Sequence, residues 1–359
     1  MISFELNEEQ RIAQASVREF AASILAPEAR KADDAAAVAP ALLKQLWSLG
    51  IVQARAAGEP HAAIMSALLL EELALGDASL AIAVAAPLGF VAAIVEQGSD
   101  AQRAALLPLF SDDTYRAAAI ALVEPSPAFD NLKLATRATL TSDGYRINGV
   151  KSMVPFASSA SHFLVIAEVG GLREAFIVEA GAAGLSVEAP YVTLGLAAAQ
   201  ASTIQLKDVV VPASARLGEA KGSDVDRLVD GSRAALAALM TGLCQGVMHY
   251  VIPYTQQRVA HGTQLAKKQS VAFKIADMHM RIEAMRWMHW RAAATLDKSS
   301  DDATRLCRLA QVYAAQHTMW IADEGLQMLG GHGFTRDYPV EMWYRNARTL
   351  SMLEGTVGL

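Results

Sequence analysis

The sequence predicts a mainly α protein with a central β domain. Three observations carry this. Apolar residues recur at helical spacing through the first third of the chain. From about residue 117 short β-branched runs alternate with turn residues. Beyond about residue 222 the periodicity is helical again, in segments longer than an average globular helix. The expected organisation is an N-terminal helical domain over 1–116, an antiparallel β-sandwich or barrel over 117–222, and a C-terminal helical block over 223–359.

Each element has a local reason. Asn7 is a good N-cap, with Glu8 and Glu9 in the first turn, and Ile12, Ala15, Val17, Phe20 and Ala21 follow at helical spacing until Pro27 ends the run. A short helix over 41–49 stops at Gly50. Another, over 64–75, carries Glu71 and Glu72 on its polar side and stops at Gly76-Asp77. Residues 78–95 hold no charge, and Pro87 is expected to separate two buried helices there. Strands are expected over 145–150, 163–167, 175–178, 203–206 and 209–211, with turns at Ser142-Asp143-Gly144 and Gly170-Gly171. Long helices are expected over 225–254, 266–294 and 303–329. In the second, Val271, Ile275, Met278, Ile282, Met285 and Met288 form a stripe that reads as bundle core.

Composition excludes several functions. Of 359 residues 53% are hydrophobic, the net charge is −6, and mean hydropathy is +0.23. Two charge-free stretches, 78–95 and 234–254, raise the question of a membrane. Both are rich in Ala, contain proline, and lack an asymmetric Lys/Arg flank, so buried core helices are expected instead. Met1 leads into a polar, acidic segment rather than a signal peptide. Cys244 and Cys307 lie far apart in apolar contexts, which fits a reducing, cytoplasmic location and no disulfide framework. An acidic chain without basic runs is no nucleic-acid binder, and the histidines lack metal-ligand spacing.

No dinucleotide fingerprint, phosphate loop or nucleophile elbow is present. Taken alone, Gly330-Gly331-His332-Gly333 reads as a helix C-cap and Glu354 as a solvated acid. The motifs together say more. The segment from Gln327 through Gly330-Gly331-His332-Gly333 to Glu341, then Arg345 to Arg348, then Leu353-Glu354-Gly355-Thr356, resembles the C-terminal signature of the acyl-CoA dehydrogenase family. Phe4 to Pro27 is similar to the family's opening helix, and Glu71-Glu72-Leu73-Ala74 to its early acidic helix. Val123-Glu124-Pro125, ending at Asp130, is similar to a flavin loop, and Gly149-Val150-Lys151 to a Gly-x-Lys turn. Asp230 to Arg233, Arg258 to Gly262 and Lys268-Gln269 match two central helices. The resemblance spans nearly the whole chain.

It implies a C-terminal four-helix bundle, non-covalent FAD, an acyl-CoA thioester substrate dehydrogenated to a trans-2-enoyl-CoA, and electrons passed to an electron-transfer flavoprotein. It implies Glu354 as the base that removes the α-proton. The Glu354 amide and a flavin ribityl hydroxyl would donate to the thioester carbonyl, and Gly355 would let the backbone pass close to substrate. Arg258, Lys268 and Gln269 would bind the flavin pyrophosphate and its surroundings, often across a subunit interface. Gln327, Gly330 and Gly331 would pack on a neighbour's FAD, Thr356 would be a further flavin contact, and Asp230 and Arg233 would lie near the CoA arm and the catalytic glutamate. A helix-surface ion pair is the other reading of Asp230 and Arg233.

Some positions depart from the family pattern. Met153-Val154-Pro155 stands where Trp-Ile-Thr is common, Val123 replaces a Thr, and Phe129 replaces a Ser. All four of Val123, Phe129, Met153 and Pro155 remain candidate flavin contacts. Pro155 can supply neither a hydroxyl nor an N–H. The Val-Pro-x-Ala wording resembles a bacterial subgroup acting on bulky or sterol-derived acyl-CoA, sometimes as unlike subunits. A homotetramer or dimer is expected, with a heteromer as the alternative. A partner-dependent non-catalytic subunit and an oxygen-using relative remain alternative functions.

Overall fold

A computed structural model describes residues 5–58 and 62–359. Phe4, and Met1 with the leader reading attached to it, lie outside them. The N-terminal domain consists of α1 (Glu8–Phe20), α2 (Ala26–Ala35), α3 (Pro40–Trp47), α4 (Ile51–Ala56), α5 (Ala62–Gly76), α6 (Ala78–Gln97) and α7 (Asp100–Leu106). Asn7 caps α1 in a capping box with Gln10. Pro27 does not end the first helix. A π-helical turn, Ala21–Leu25, joins α1 to α2, and Pro27 sits in the first turn of α2, where a missing N–H costs nothing.

Pro87 does not divide its segment either. α6 is one helix, buried almost throughout. Proline at 87 removes the donor that the Ala83 carbonyl would have used, and the Tyr115 hydroxyl donates to that carbonyl instead, at 3.1 Å. Glu71 and Glu72, expected on a polar face, are both fully buried. Glu72 accepts from Gln14 and Arg18. Glu71 accepts from Gln245, from Arg286 Nε at 2.8 Å, from His289 Nε2 at 3.0 Å and from Trp290 Nε1 at 3.2 Å.

The sheet comprises β1 (Ala117–Ala121), β2 (Arg137–Thr141), β3 (Gly144–Val154), β4 (Ala160–Val169), β5 (Leu172–Glu179), β6 (Leu185–Val187) and β7 (Ser202–Val211), in the order β1-β4-β2-β3-β7-β6 with β5 on β4. It is mixed rather than wholly antiparallel, because β4 runs parallel to β1 and, at one pair, to β2. The two runs expected over 203–206 and 209–211 form one strand, β7, whose register shifts around Asp208 at φ +53°.

The C-terminal block is α8 (Val225–Gln257), a small hairpin of β8 (Val259–Ala260) and β9 (Thr263–Gln264), then α9 (Gln269–Asp297), α10 (Ala303–Leu329) and α11 (Val340–Leu350). Met278, Ile282 and Met285 of the expected stripe are buried, with Val271, Ile275 and Met288 half-buried beside them. α6 and α8 are long and apolar enough to cross a membrane, yet 94% and 78% of their most apolar windows lie inside the protein. The three blocks share one core. Arg345 on α11 binds Asp33 on α2, and Asn346 accepts from the Leu196 amide of the β domain at 2.7 Å.

Asp77, between α5 and α6, caps α6 by accepting from Leu80 N at 2.8 Å, while its other carboxylate oxygen has no hydrogen-bond partner among the described residues. Burial pushes its pKa up from 3.8 to about 6. Between those two values the unfolded chain ionises first, so stability falls as pH rises through the window and stays lowered above it. Asparagine keeps the cap without the charge. Asp77→Asn should therefore gain stability over wild type as pH rises from 4 to 7, by up to about 3 kcal/mol in urea titrations. A difference that is flat with pH would contradict this.

Candidate active site

Four elements converge on Glu354. α8 passes with its N-terminal turns, β1 runs out into Leu122 and Val123, β3 ends at Val154, and the 3-10 turn Ser351–Leu353 delivers the glutamate. Gly355 follows at φ +77°, a conformation that favours glycine. A Cβ there would lie 2.1 Å from Leu122 Cδ2 and 3.0 Å from Leu122 Cβ, so a side chain at 355 would have to displace that of Leu122. The Gly355 amide donates to the buried Ser232 hydroxyl at 2.7 Å. Thr356 is fully buried and donates its hydroxyl to the Leu353 carbonyl at 2.7 Å.

The carboxylate is oriented by α8. Arg233 Nε donates to Glu354 Oε1 at 2.7 Å, and Arg233 Nη1 lies 3.4 Å from Asp230. Asp230, itself buried, accepts from the Thr304 hydroxyl at 2.5 Å. Burial pushes the Asp230 carboxyl up, against the opposing pull of Thr304 and Arg233. The chain Thr304–Asp230–Arg233–Glu354 is therefore no free surface pair. It ends on a carboxylate that keeps about a third of its surface, 33%, open. A groove of about 710 Å³ runs alongside, lined by Asp230, Thr304, Arg227, Glu96 and Leu296 among others.

On the sheet side, Lys151 is fully buried and donates to Glu124 Oε1 at 2.9 Å and to the Leu122 carbonyl at 3.1 Å. Glu124 also accepts from the Ala135 and Thr136 amides. Burial pulls Lys151 down to about 8, while Lys151 and the amides hold Glu124 low against its own burial, so both stay ionised at neutral pH. The Val123 carbonyl accepts from Ser152 N at 2.8 Å, and Met153 follows at φ +54°, buried with Pro155. Phe129 is half-buried, its amide on the Ser126 carbonyl.

The remaining expected residues lie elsewhere. Arg258 and Gln269 are exposed and Lys268 half-buried around the β8–β9 hairpin, while Gln327, Gly330 and Gly331 are exposed at the end of α10. Tyr254 and His332, joined at 3.0 Å, bring these two groups together. Arg258 follows Arg233 by 25 residues along α8. At ~1.5 Å per residue the two sit ~37 Å apart.

Ser232, Thr304, Leu122 and the Lys151–Glu124 pair carry no role in the sequence reading. A lone serine between Asp230 and Arg233 in a helix that turns wholly apolar was the available signal for Ser232.

Comparison with known proteins bears on what this geometry serves. Residues 7–113, 119–209 and 224–358 match the models of the acyl-CoA dehydrogenase N-terminal, middle and C-terminal domains. The chain belongs to the acyl-CoA dehydrogenase family. It is 30% identical to a short-chain specific acyl-CoA dehydrogenase of Megasphaera elsdenii, over 99% of this chain and 96% of that one. The solved butyryl-CoA dehydrogenase from Megasphaera elsdenii superposes with TM-score 0.89 at 30% identity, over 99% and 96%. A chain in a structure of the electron transferring flavoprotein of Acidaminococcus fermentans gives TM-score 0.90 at 26% identity, over 99% and 96%.

The Lys151–Glu124 pair supports the β1 exit on which Gly355 rests in this acyl-CoA dehydrogenase. Lys151→Met would leave a buried carboxylate without its counter-charge. It should cost about 3–5 kcal/mol in chemical denaturation. A loss below about 1 kcal/mol, the range of an exposed pair, would show that the amides alone hold Glu124.

Proposed function

We propose that this acyl-CoA dehydrogenase is an FAD-dependent enzyme that oxidises an acyl-CoA thioester to the trans-2-enoyl-CoA, with Glu354 as the base. The observation that carries the reading is the position of Glu354: an accessible carboxylate held by Arg233, on a backbone clamped between Ser232 and Leu122. A base that removes a weakly acidic α-proton must sit against the carbon with little freedom. The Glu354 amide donates to the thioester carbonyl, where charge develops as the proton leaves. Asp230 and Arg233 flank the path of the CoA arm, which the adjoining groove receives. FAD, when bound, supplies the acceptor for the β-hydride, and an electron-transfer flavoprotein takes the electrons onward.

The chain's own residues suit that cofactor. Met153 and Pro155 offer apolar cover at the end of β3, and the Val123 carbonyl is tied to Ser152 N beside them. Arg258 and Lys268 supply cations for phosphate oxygens, and Gln269 and Gln327 supply amide donors. Separated from Glu354 by the length of α8, this second group reads as serving the FAD of a second copy. Phe273, Met280 and Trp287 lie exposed at seven-residue intervals along α9, an apolar stripe suited to a dimer or tetramer.

Two experiments test this. Anaerobic addition of acyl-CoA should bleach the bound flavin, and Glu354→Gln should retain FAD but slow the bleaching about 10²–10⁴-fold. Near-normal reduction by the variant would move the base elsewhere, and purification without FAD would favour a partner-dependent subunit. Arg258→Ala should weaken FAD binding about ten- to a hundredfold in fluorescence titrations. Unchanged FAD affinity would remove the exposed group from the cofactor site.

A further inference from the structure

Residues that follow the base occupy the apolar space beside it. Val357 is fully buried and Leu359 is 4% exposed. Gly358 N donates to the Ala85 carbonyl of α6 at 3.2 Å. The backbones touch at this point: a Cβ on Gly89 would lie 2.6 Å from Gly358 N, and one on Gly358 would lie 2.7 Å from Gly89 Cα. Small residues on both partners thus let the segment lie flat against α6. The cavity left between them is about 30 Å³, lined by Gly89, Ala93 and Ile120 on one side, Gly231 on α8, and Gly358 with Leu359. It holds roughly one or two waters.

This space has a defined relation to the chemistry. Ser232 and Arg233 hold Gly355 and Glu354, and Gly231 and Leu228 on the same end of α8 face the cavity. An acyl group whose α-carbon meets Glu354 needs apolar walls beginning at the β-carbon. α6 and the Gly231 side of α8 wall the cavity, and Val357, Gly358 and Leu359, three to five residues past Glu354, lie against them. Arg227 and Glu96, paired at 3.0 Å, separate the cavity from the larger groove.

We propose that Val357, Gly358 and Leu359 form the floor of the acyl slot and restrict the substrate to acyl groups of a few carbons. This rests on the dehydrogenase reading and narrows it, excluding a bulky or ring-bearing acyl group. Each methylene beyond the floor must displace packed backbone rather than enter free volume.

The test compares anaerobic flavin reduction by butyryl-CoA and octanoyl-CoA in the holoenzyme, wild type and Val357→Ala/Leu359→Ala. Leu359→Ala alone serves as a milder variant, and bound FAD absorbance reports folding. Wild type should favour butyryl-CoA by at least about tenfold, and the variants should raise the octanoyl-to-butyryl ratio about tenfold. Equal rates in wild type, or a ratio unmoved in a variant that retains FAD, would overturn the assignment. Calorimetry with the unreactive butyl-CoA and octyl-CoA thioethers separates the two readings. Size-selective binding relaxed by the variants, without flavin reduction, leaves the floor standing and removes the reaction. Reduction without size selectivity does the reverse, and binding of neither thioether overturns both.

Discussion

The fold turns on a carboxylate buried between its first and last blocks. Glu71 on α5 draws donors from Gln245 on α8 and from Arg286, His289 and Trp290 on α9. Burial alone would push its pKa up, but His289 and Arg286 outweigh that and hold it below the ordinary range. A charge this deep is tolerable only when saturated with donors, so it dictates where three helices sit relative to one another. Close packing follows from the same contact: a Cβ on Gly242 of α8 would lie 2.0 Å from the Glu71 carbonyl oxygen. With α5 and α8 locked at that distance, the start of α8 presents Ser232 and Arg233 to the glutamate.

The architecture was legible in the sequence to the extent that it rests on periodicity. Three blocks, the long helices and the methionine stripe all follow from spacing. What periodicity could not reveal is what completes each element from far away. Pro87 reads as a break because the hydroxyl that replaces its lost donor comes from Tyr115, on a different element. Glu71 and Glu72 read as a polar face because their donors lie on α1, α8 and α9. Parallel pairing of β1 with β4 leaves no local mark at all.

The site divides in the same way. Glu354, Gly355, Arg233 and Asp230 are adjacent in motifs, and the fold brings those motifs together. Arg258, Lys268, Gln269, Gln327, Gly330 and Gly331 carry the same family signature but occupy another face of the molecule. The 25 residues from Arg233 to Arg258 translate into that separation once α8 is known to be one unbroken helix. Thr304, outside every motif, and Ser232, inside one but without a role there, became visible only as hydrogen-bond partners.

That span along α8 has a hereditary consequence. The Glu354-facing end, with Arg233, and the Arg258 end are carried by one helix and lie ~37 Å apart along it. After a gene duplication, each copy could shed one end and persist, provided its sister kept the other. The two ends can therefore drift under separate selection. Substitutions at Val123, Phe129, Met153 and Pro155 belong to the end near Glu354, and change there leaves the distant surface free to remain as it was.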